Sequence, residues 1–195
     1  MVMKRSAALG IRYLTLYAFS TENWHRPPSE VSFLMKLVVE YLRTELQAMH
    51  ELEIRVRTLG DLSALPEPVQ EALSNAVSFT AANEGLTVNL ALNYGSRAEI
   101  ARAAADIAYA CVQGRLDPKT INEDTFADSL ETAQMPDPDL IIRTSGEQRL
   151  SNFLLYQSAY AEMYFTPVAW PDFTEEAYDQ ALIEYQKRTR RYGGL

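Results

Sequence analysis

The chain has 195 residues, 47% of them hydrophobic and 23% charged, an ordinary globular balance with enough length for one sizeable core. A net charge of -8 and a pI of about 4.8 argue against nucleic acid or an anionic membrane as the main partner. The single cysteine, Cys111, excludes an intrachain disulfide.

No apolar run reaches the roughly 18 residues of a membrane span. Met1 to Gly10 is a short mixed segment without a signal-peptide pattern, so a soluble cytoplasmic protein is expected. Met1 to Leu9 reads as a short helix stopped at Gly10. Ile11 to Phe19 reads as a strand with both faces largely buried, and polar Ser20 to Arg26 follow it. Ser29 is the expected cap of a long helix reaching about His50. The apolar residues of that helix, among them Phe33, Met35, Leu37, Val39 and Leu42, spread over more than one face. Such a helix is either buried on several sides or lines an apolar cavity.

Glu53 to Thr58 is a second expected strand, and Leu59-Gly60-Asp61 its turn. A helix opens at Pro66 or Glu67, turns Val69, Ala72, Leu73, Ala76 and Val77 inward, and ends at Glu84-Gly85. Leu86 to Leu92 is the third strand, with Asn93 to Arg97 as its exit loop. Ala98 to Gln113 is helical, with Ile100, Ala104, Ile107, Ala108 and Cys111 facing inward and Gly114 as its stop. Leu116 to Asn122 is a loop, Glu123 to about Leu130 a short helix, and Met135 to Asp139 an extended entry to the next strand.

That strand, Leu140 to Ile142, is a short apolar run ending at Arg143. Thr144-Ser145-Gly146-Glu147 is a polar turn; Arg149 and Ser151 come next, before a second apolar run from Phe153 to Tyr156. Arginines and hydroxyls at the end of a buried strand suit an anion, above all a phosphate; the alternative is that Arg143 pairs with a carboxylate and the turn is only a turn. Met163 to Thr166 is a final short strand. Thr174 caps the last helix, with Lys187, Arg188, Arg190 and Arg191 near its end.

Strand and helix alternate, which predicts an α/β fold: a mainly parallel β-sheet flanked by helices, in a single domain. Ligands bind such sheets outside the carboxyl ends of the strands. Three of these exits, Ser20 to Arg26, Asn93 to Arg97 and Arg143 to Ser151, carry anion-competent residues and point together to a phosphate site. Neither a P-loop nor a Gly-x-Gly-x-x-Gly or Gly-x-Ser-x-Gly motif occurs. His25 and His50 lack a zinc-ligand set.

Two stretches together resemble the signatures of the cis-prenyltransferases. One is Phe19-Ser-Thr-Glu-Asn-Trp24 with Arg26-Pro27. The other is Asp139-Leu-Ile-Ile-Arg-Thr-Ser-Gly-Glu147 with Arg149-Leu-Ser-Asn-Phe153 and Ala161-Glu162. The resemblance runs from about Leu9 to Gly194, takes in Asn93-Tyr-Gly and Arg191-Tyr-Gly-Gly194, and is nearest the undecaprenyl diphosphate synthase type. It implies condensation of isopentenyl diphosphate onto an allylic diphosphate such as farnesyl diphosphate, with Mg2+, as the product lengthens in an apolar tunnel. By position it implies substrate contacts at Ser20, Thr21, Glu22, Trp24 and Arg26, and an isopentenyl diphosphate clamp of Arg143, Arg149, Leu150 and Ser151. Asn23 resembles the residue that accepts or relays the proton; a neutral amide being a poor base, it is read as positioning the acceptor. Glu162 would be a magnesium ligand near a homodimer boundary; read without the motif it is an exposed or interface carboxylate. Ala18 and Leu86 resemble positions that influence chain length. Membrane contact is expected only transiently, through the lipid product.

One departure accompanies the resemblance. The family's amino-terminal Met-Asp-Gly-Asn stretch, whose Asp binds magnesium and whose amides cradle the allylic diphosphate, has no counterpart in residues 1–195, which start within the family's next helix. Residues 1–195 are therefore expected to be an N-terminally incomplete domain. A longer true chain, a truncation, and a non-catalytic or accessory relative that binds isopentenyl diphosphate or a partner subunit are the competing explanations.

Overall fold

The computed structural model describes residues 1–189. The chain forms two compact units, residues 3–99 and residues 1–2 with 100 onward. Helix α4, Ser96–Val112, begins in the first and continues into the second.

The first unit contains a three-stranded parallel sheet in the order β1-β3-β2, from β1 Tyr13–Ser20, β2 Arg55–Leu59 and β3 Thr87–Tyr94. Central β3 is buried along most of its length. Among the described residues β1 pairs only with β3; most of it is half-exposed, and it is buried at Phe19 and Ser20. The expectation of two largely buried faces for β1 is therefore corrected: Leu14 and Leu16 pack on the core and Tyr17 against Tyr94, but each is only half-buried. Val56, Val88 and Leu92 join Met35, Leu42 and Met49 of α2 (Pro28–Glu51) and Val69, Leu73 and Ala76 of α3 (Glu67–Phe79) in one core. Short helix α1, Val2–Ala8, joins it through Met3 and ties Lys4 to Glu45 of α2 over 3.2 Å.

Helix boundaries follow local chemistry. Pro28, whose missing N–H costs nothing in a first turn, starts α2, so Ser29 lies inside the helix instead of capping it. α3 stops at Phe79, not at Glu84. The Thr80 hydroxyl donates to the Ala76 carbonyl over 2.7 Å and accepts from the Val56 N–H of β2 over 2.9 Å, which holds the chain at the sheet.

The second unit contains a parallel pair, β4 Leu140–Arg143 with β5 Glu162–Phe165, and helices α5 Glu123–Ala127 and α6 Glu175–Gln186. Asn122 caps α5 and Thr174 caps α6, each accepting from a backbone N–H of the first turn. The buried stripe of α4 is Ser96, Glu99, Ala103 and Ile107; Ala104 and Ala108 are exposed and Cys111 is half-buried. Alanine carries little directional signal, which is why the expected stripe was rotated. Arg190, Arg191, Gly193 and Gly194 lie outside the described residues.

Candidate active site

Anion-competent residues gather at two places, one in each unit. In the first unit β1 ends at Ser20 and passes into a 3-10 turn, Thr21–His25. Asn23 folds back so that its Oδ1 accepts the Ser20 N–H over 2.9 Å, which closes the turn. The Thr21 hydroxyl donates to Glu22 over 3.2 Å. Trp24 stands edge-on to buried Phe19, ring centres 5.1 Å apart, and its indole N–H donates to Asn93 Oδ1 over 2.8 Å. Arg26 pairs with Glu30 over 2.6 Å. The structure thus brings together the β1 exit and the β3 exit.

Below them an apolar cleft of about 1060 Å³ opens between α2 and α3, with Trp24, Val31, Met35, Val39, Pro66 and Val69 among its walls. Of the two readings of α2, the cavity wall is the one seen; burial on several sides is not, because the helix buries one stripe and leaves Phe33, Leu37 and Tyr41 exposed. Val31, Met35, Leu42 and Met49 are buried, Val39 faces the cleft, and Phe33 is 63% exposed on the outer side. Ala18 is exposed and Leu86 buried, and neither lines the cleft.

In the second unit β4 ends at Arg143, and the loop beyond it is tied to the residues after β5. Thr166 N–H donates to Arg143 O, Ser145 N–H to Val168 O and Gly146 N–H to Thr166 O, all within 2.9 Å. Ser145, Gly146, Ser151, Asn152 and Leu154 all have positive φ, a concentration of left-handed residues that ordinary turns avoid and binding loops retain. Arg143 Nε is buried with no hydrogen-bond acceptor, and so does not show the carboxylate pairing left open from sequence. Arg149 pairs with Glu147 at the exposed surface. Leu150 and Ser151 are half-buried in the same loop. Glu162 opens β5 and accepts from Arg188 over 2.6 Å.

Magnesium favours oxygen ligands and is commonly held by one or two carboxylates together with substrate phosphates and water. Glu162, a partly exposed carboxylate in reach of solvent, fits that role as a single protein donor. Among the described residues no group of three His, Cys, Asp or Glu side chains could hold a metal, and no helix is long and apolar enough to cross a membrane.

Sequence reasoning placed Asn93 at a strand exit of the site and Gly60-Asp61 in a turn, but missed their contacts: Asn93 Oδ1 accepts from Trp24, and the Asp61 carbonyl accepts from Asn93 Nδ2 over 2.7 Å. Two signals point to Asn93: its place at the exit of a strand and the Asn-Tyr-Gly match.

The family model for undecaprenyl diphosphate synthase matches residues 1–193. An isoprenyl transferase of Clostridium perfringens is 50% identical over 194 residues, covering 100% of this chain and 77% of that protein. One of Bacillus subtilis is 51% identical over 192 residues, covering 98% and 74% respectively. The crystal structure of lavandulyl diphosphate synthase from Lavandula x intermedia in complex with dimethylallyl diphosphate matches with a TM-score of 0.96 at 41% identity, covering 98% of this chain and 83% of that one. That of a probable undecaprenyl diphosphate synthase from Campylobacter jejuni gives a TM-score of 0.86 at 35% identity, covering 98% and 88%. The chain belongs to the undecaprenyl diphosphate synthase family and is a cis-prenyltransferase.

Proposed function

We propose that the protein condenses isopentenyl diphosphate with an allylic diphosphate such as farnesyl diphosphate, repeating the step to make a long polyprenyl diphosphate, the undecaprenyl carrier precursor. In each cycle the allylic carbon–oxygen bond breaks and diphosphate leaves with the bonding electrons. The isopentenyl double bond attacks the allylic carbon, and a proton leaves to give a new cis double bond.

The observation that carries this reading is Arg143, whose Nε is buried without an acceptor. A buried donor left unmatched is costly, and a diphosphate oxygen would satisfy it with a charge-assisted bond contributing about 1.5–3 kcal/mol net. Arg149 would exchange Glu147 for the same diphosphate. An exposed ion pair is worth only about 0–1 kcal/mol, so the exchange favours the ligand. Ser151 would add a hydroxyl donor, and Leu150 would keep the loop seated. Together they hold the nucleophilic isopentenyl group in one orientation.

At the other place Ser20, Thr21, Glu22, Trp24 and Arg26 would contact the reacting ends, with Asn23 positioning the proton acceptor. The apolar cleft would take the growing chain and keep water from it; each added methylene contributes about 0.8 kcal/mol of burial. Glu162 would contribute an oxygen to Mg2+ once Arg188 gives way. When bound, the ion supplies positive charge to diphosphate oxygens.

The same reading has the chain act as a homodimer in the cytoplasm, touching membrane only through its lipid product. Exposed Tyr160 and Phe165, on either side of Glu162, support a dimer face there. The names of the relatives favour a transferase over an accessory, non-catalytic subunit. Incubation with labelled isopentenyl diphosphate, farnesyl diphosphate and Mg2+ tests the reading: long labelled polyprenyl products are expected, and their absence under all conditions would refute it.

A further inference from the structure

We propose that Asn93 is a positioning residue that ties the two walls of the apolar cleft together at its mouth, through Trp24 on one side and the Asp61–Ser63 turn on the other. The proposal rests on reading the cleft as the place where the product chain grows.

Asn93 lies near the carboxyl end of β3, almost fully buried, with φ of +47°. Non-glycine residues rarely hold that conformation, and Asn is among the few that do so readily. Both ends of its amide are used. An indole N–H can only donate, so the atom facing Trp24 must be Oδ1. The Nδ2 group then points at the Asp61 carbonyl, which can only accept. The amide orientation is thereby fixed by its two partners, and neither bond can form with the other end.

Each partner belongs to a different wall. Trp24 itself lines the cleft, in the turn that leads through Arg26 and Pro28 into α2. On the other side the Asp61 carboxylate accepts from the Ser63 N–H over 3.0 Å and the Ser63 hydroxyl over 2.6 Å. Gln70 of α3 reaches back to the Leu65 carbonyl over 2.7 Å and to that of Ser63 over 3.3 Å. Asp61 is therefore stiffly joined to the start of α3, where Pro66, Pro68 and Val69 form the opposite wall.

The tie also needs Gly60. Its φ is +107°, and a Cβ there would sit 2.1 Å from the Leu92 carbonyl oxygen. Only glycine lets the β2 exit come close enough to β3 for the Asp61 carbonyl to meet Asn93. Core packing joins the two helices farther in, and Phe19 seats the Trp24 ring; the Asn93 amide adds a hydrogen-bonded link between the Trp24 turn and the Asp61 turn.

The test uses the whole chain carrying Trp170→Phe, which leaves Trp24 as its one tryptophan. Asn93→Gly keeps the left-handed backbone and deletes both bonds. Asn93→Asp keeps an acceptor for Trp24 and deletes the donor to Asp61. Trp24→Phe keeps a ring and deletes the indole donor.

For Asn93→Gly the proposal expects native-like circular dichroism, a shifted Trp24 emission in the free protein, and a loss in kcat/KM of about 10- to 100-fold, the scale of a misplacement near 1 Å. Asn93→Asp should leave the emission near that of the parent, yet raise KM for the allylic diphosphate and broaden the product-length distribution. In the Trp24→Phe background Asn93→Gly should cost markedly less than in the parent, because one arm of the tie is already gone.

Unchanged emission and unchanged kinetics in Asn93→Gly would overturn the proposal. So would fully additive effects of Asn93→Gly and Trp24→Phe. Should Asn93→Gly fail to fold, a product distribution in Asn93→Asp identical to the parent's would overturn it as well. A parent chain without transferase activity refutes the proposed function instead, and the emission comparison still judges the tie.

Discussion

Arg188 donates to Glu162 Oε2 over 2.6 Å, pairing a residue just past α6 with the first residue of β5. Both side chains are about one-third exposed. The proposed magnesium ligand thus carries a guanidinium that a metal ion must displace, so the pair works against metal binding. Arg188→Ala is expected to lower the Mg2+ concentration for half-maximal activity several-fold. Stability should change by no more than about 1 kcal/mol, the usual range for such a pair. Magnesium titration of the steady-state rate and urea unfolding check the two parts.

Arg143→Ala is expected to raise KM for isopentenyl diphosphate by about 10- to 150-fold, the equivalent of one charge-assisted bond. Binding of the allylic diphosphate should change far less. Because Arg143 Nε is buried without an acceptor in the free protein, the same variant should not lose stability. Calorimetric titration with each diphosphate and a thermal scan read this out.

The Tyr94 hydroxyl donates to Glu99 over 2.5 Å, and both residues are buried. Tyr94→Phe leaves that carboxylate short of the donor and is expected to destabilise the first unit by about 1–3 kcal/mol. Glu99→Gln, which keeps an acceptor in place, should cost less. Urea unfolding of the two variants gives the comparison.

Gly60→Ala is expected to lose about 1–3 kcal/mol from its φ alone, with the 2.1 Å approach to the Leu92 carbonyl adding to it. For a chain of this size each kcal/mol is about 2–4 °C in Tm. Thermal unfolding measures the loss.

Val39 faces the cleft from α2. Val39→Phe reduces the room for the proposed product chain, which would gain five carbons per cycle, on the order of 4 kcal/mol of burial per unit. Shorter products are expected, with the first condensation little affected. Chromatography of labelled products by chain length decides it.

Much of this was legible from residues near one another in the chain. Alternating apolar runs and helical stripes announced a parallel α/β fold, because burial imposes a period of two or about 3.6 on any sequence that must pack. The turn from Ser20 to Arg26 and the loop from Arg143 to Ser151 stood out for the same reason: their polar residues follow directly on buried strands. Other features lie across the chain. Trp24 meets Asn93 at a separation of 69 residues, and Arg188 meets Glu162 at 26. Hydrophobic period is blind to such pairs, since neither partner alters the pattern around it. The left-handed backbone at Asn93 and the close approach of Gly60 to the Leu92 carbonyl are equally silent in composition. The sequence by itself determined the order of elements and the chemistry at their ends. Only the tertiary structure decided which of those ends meet, because that depends on strand order and on how closely two backbones can approach.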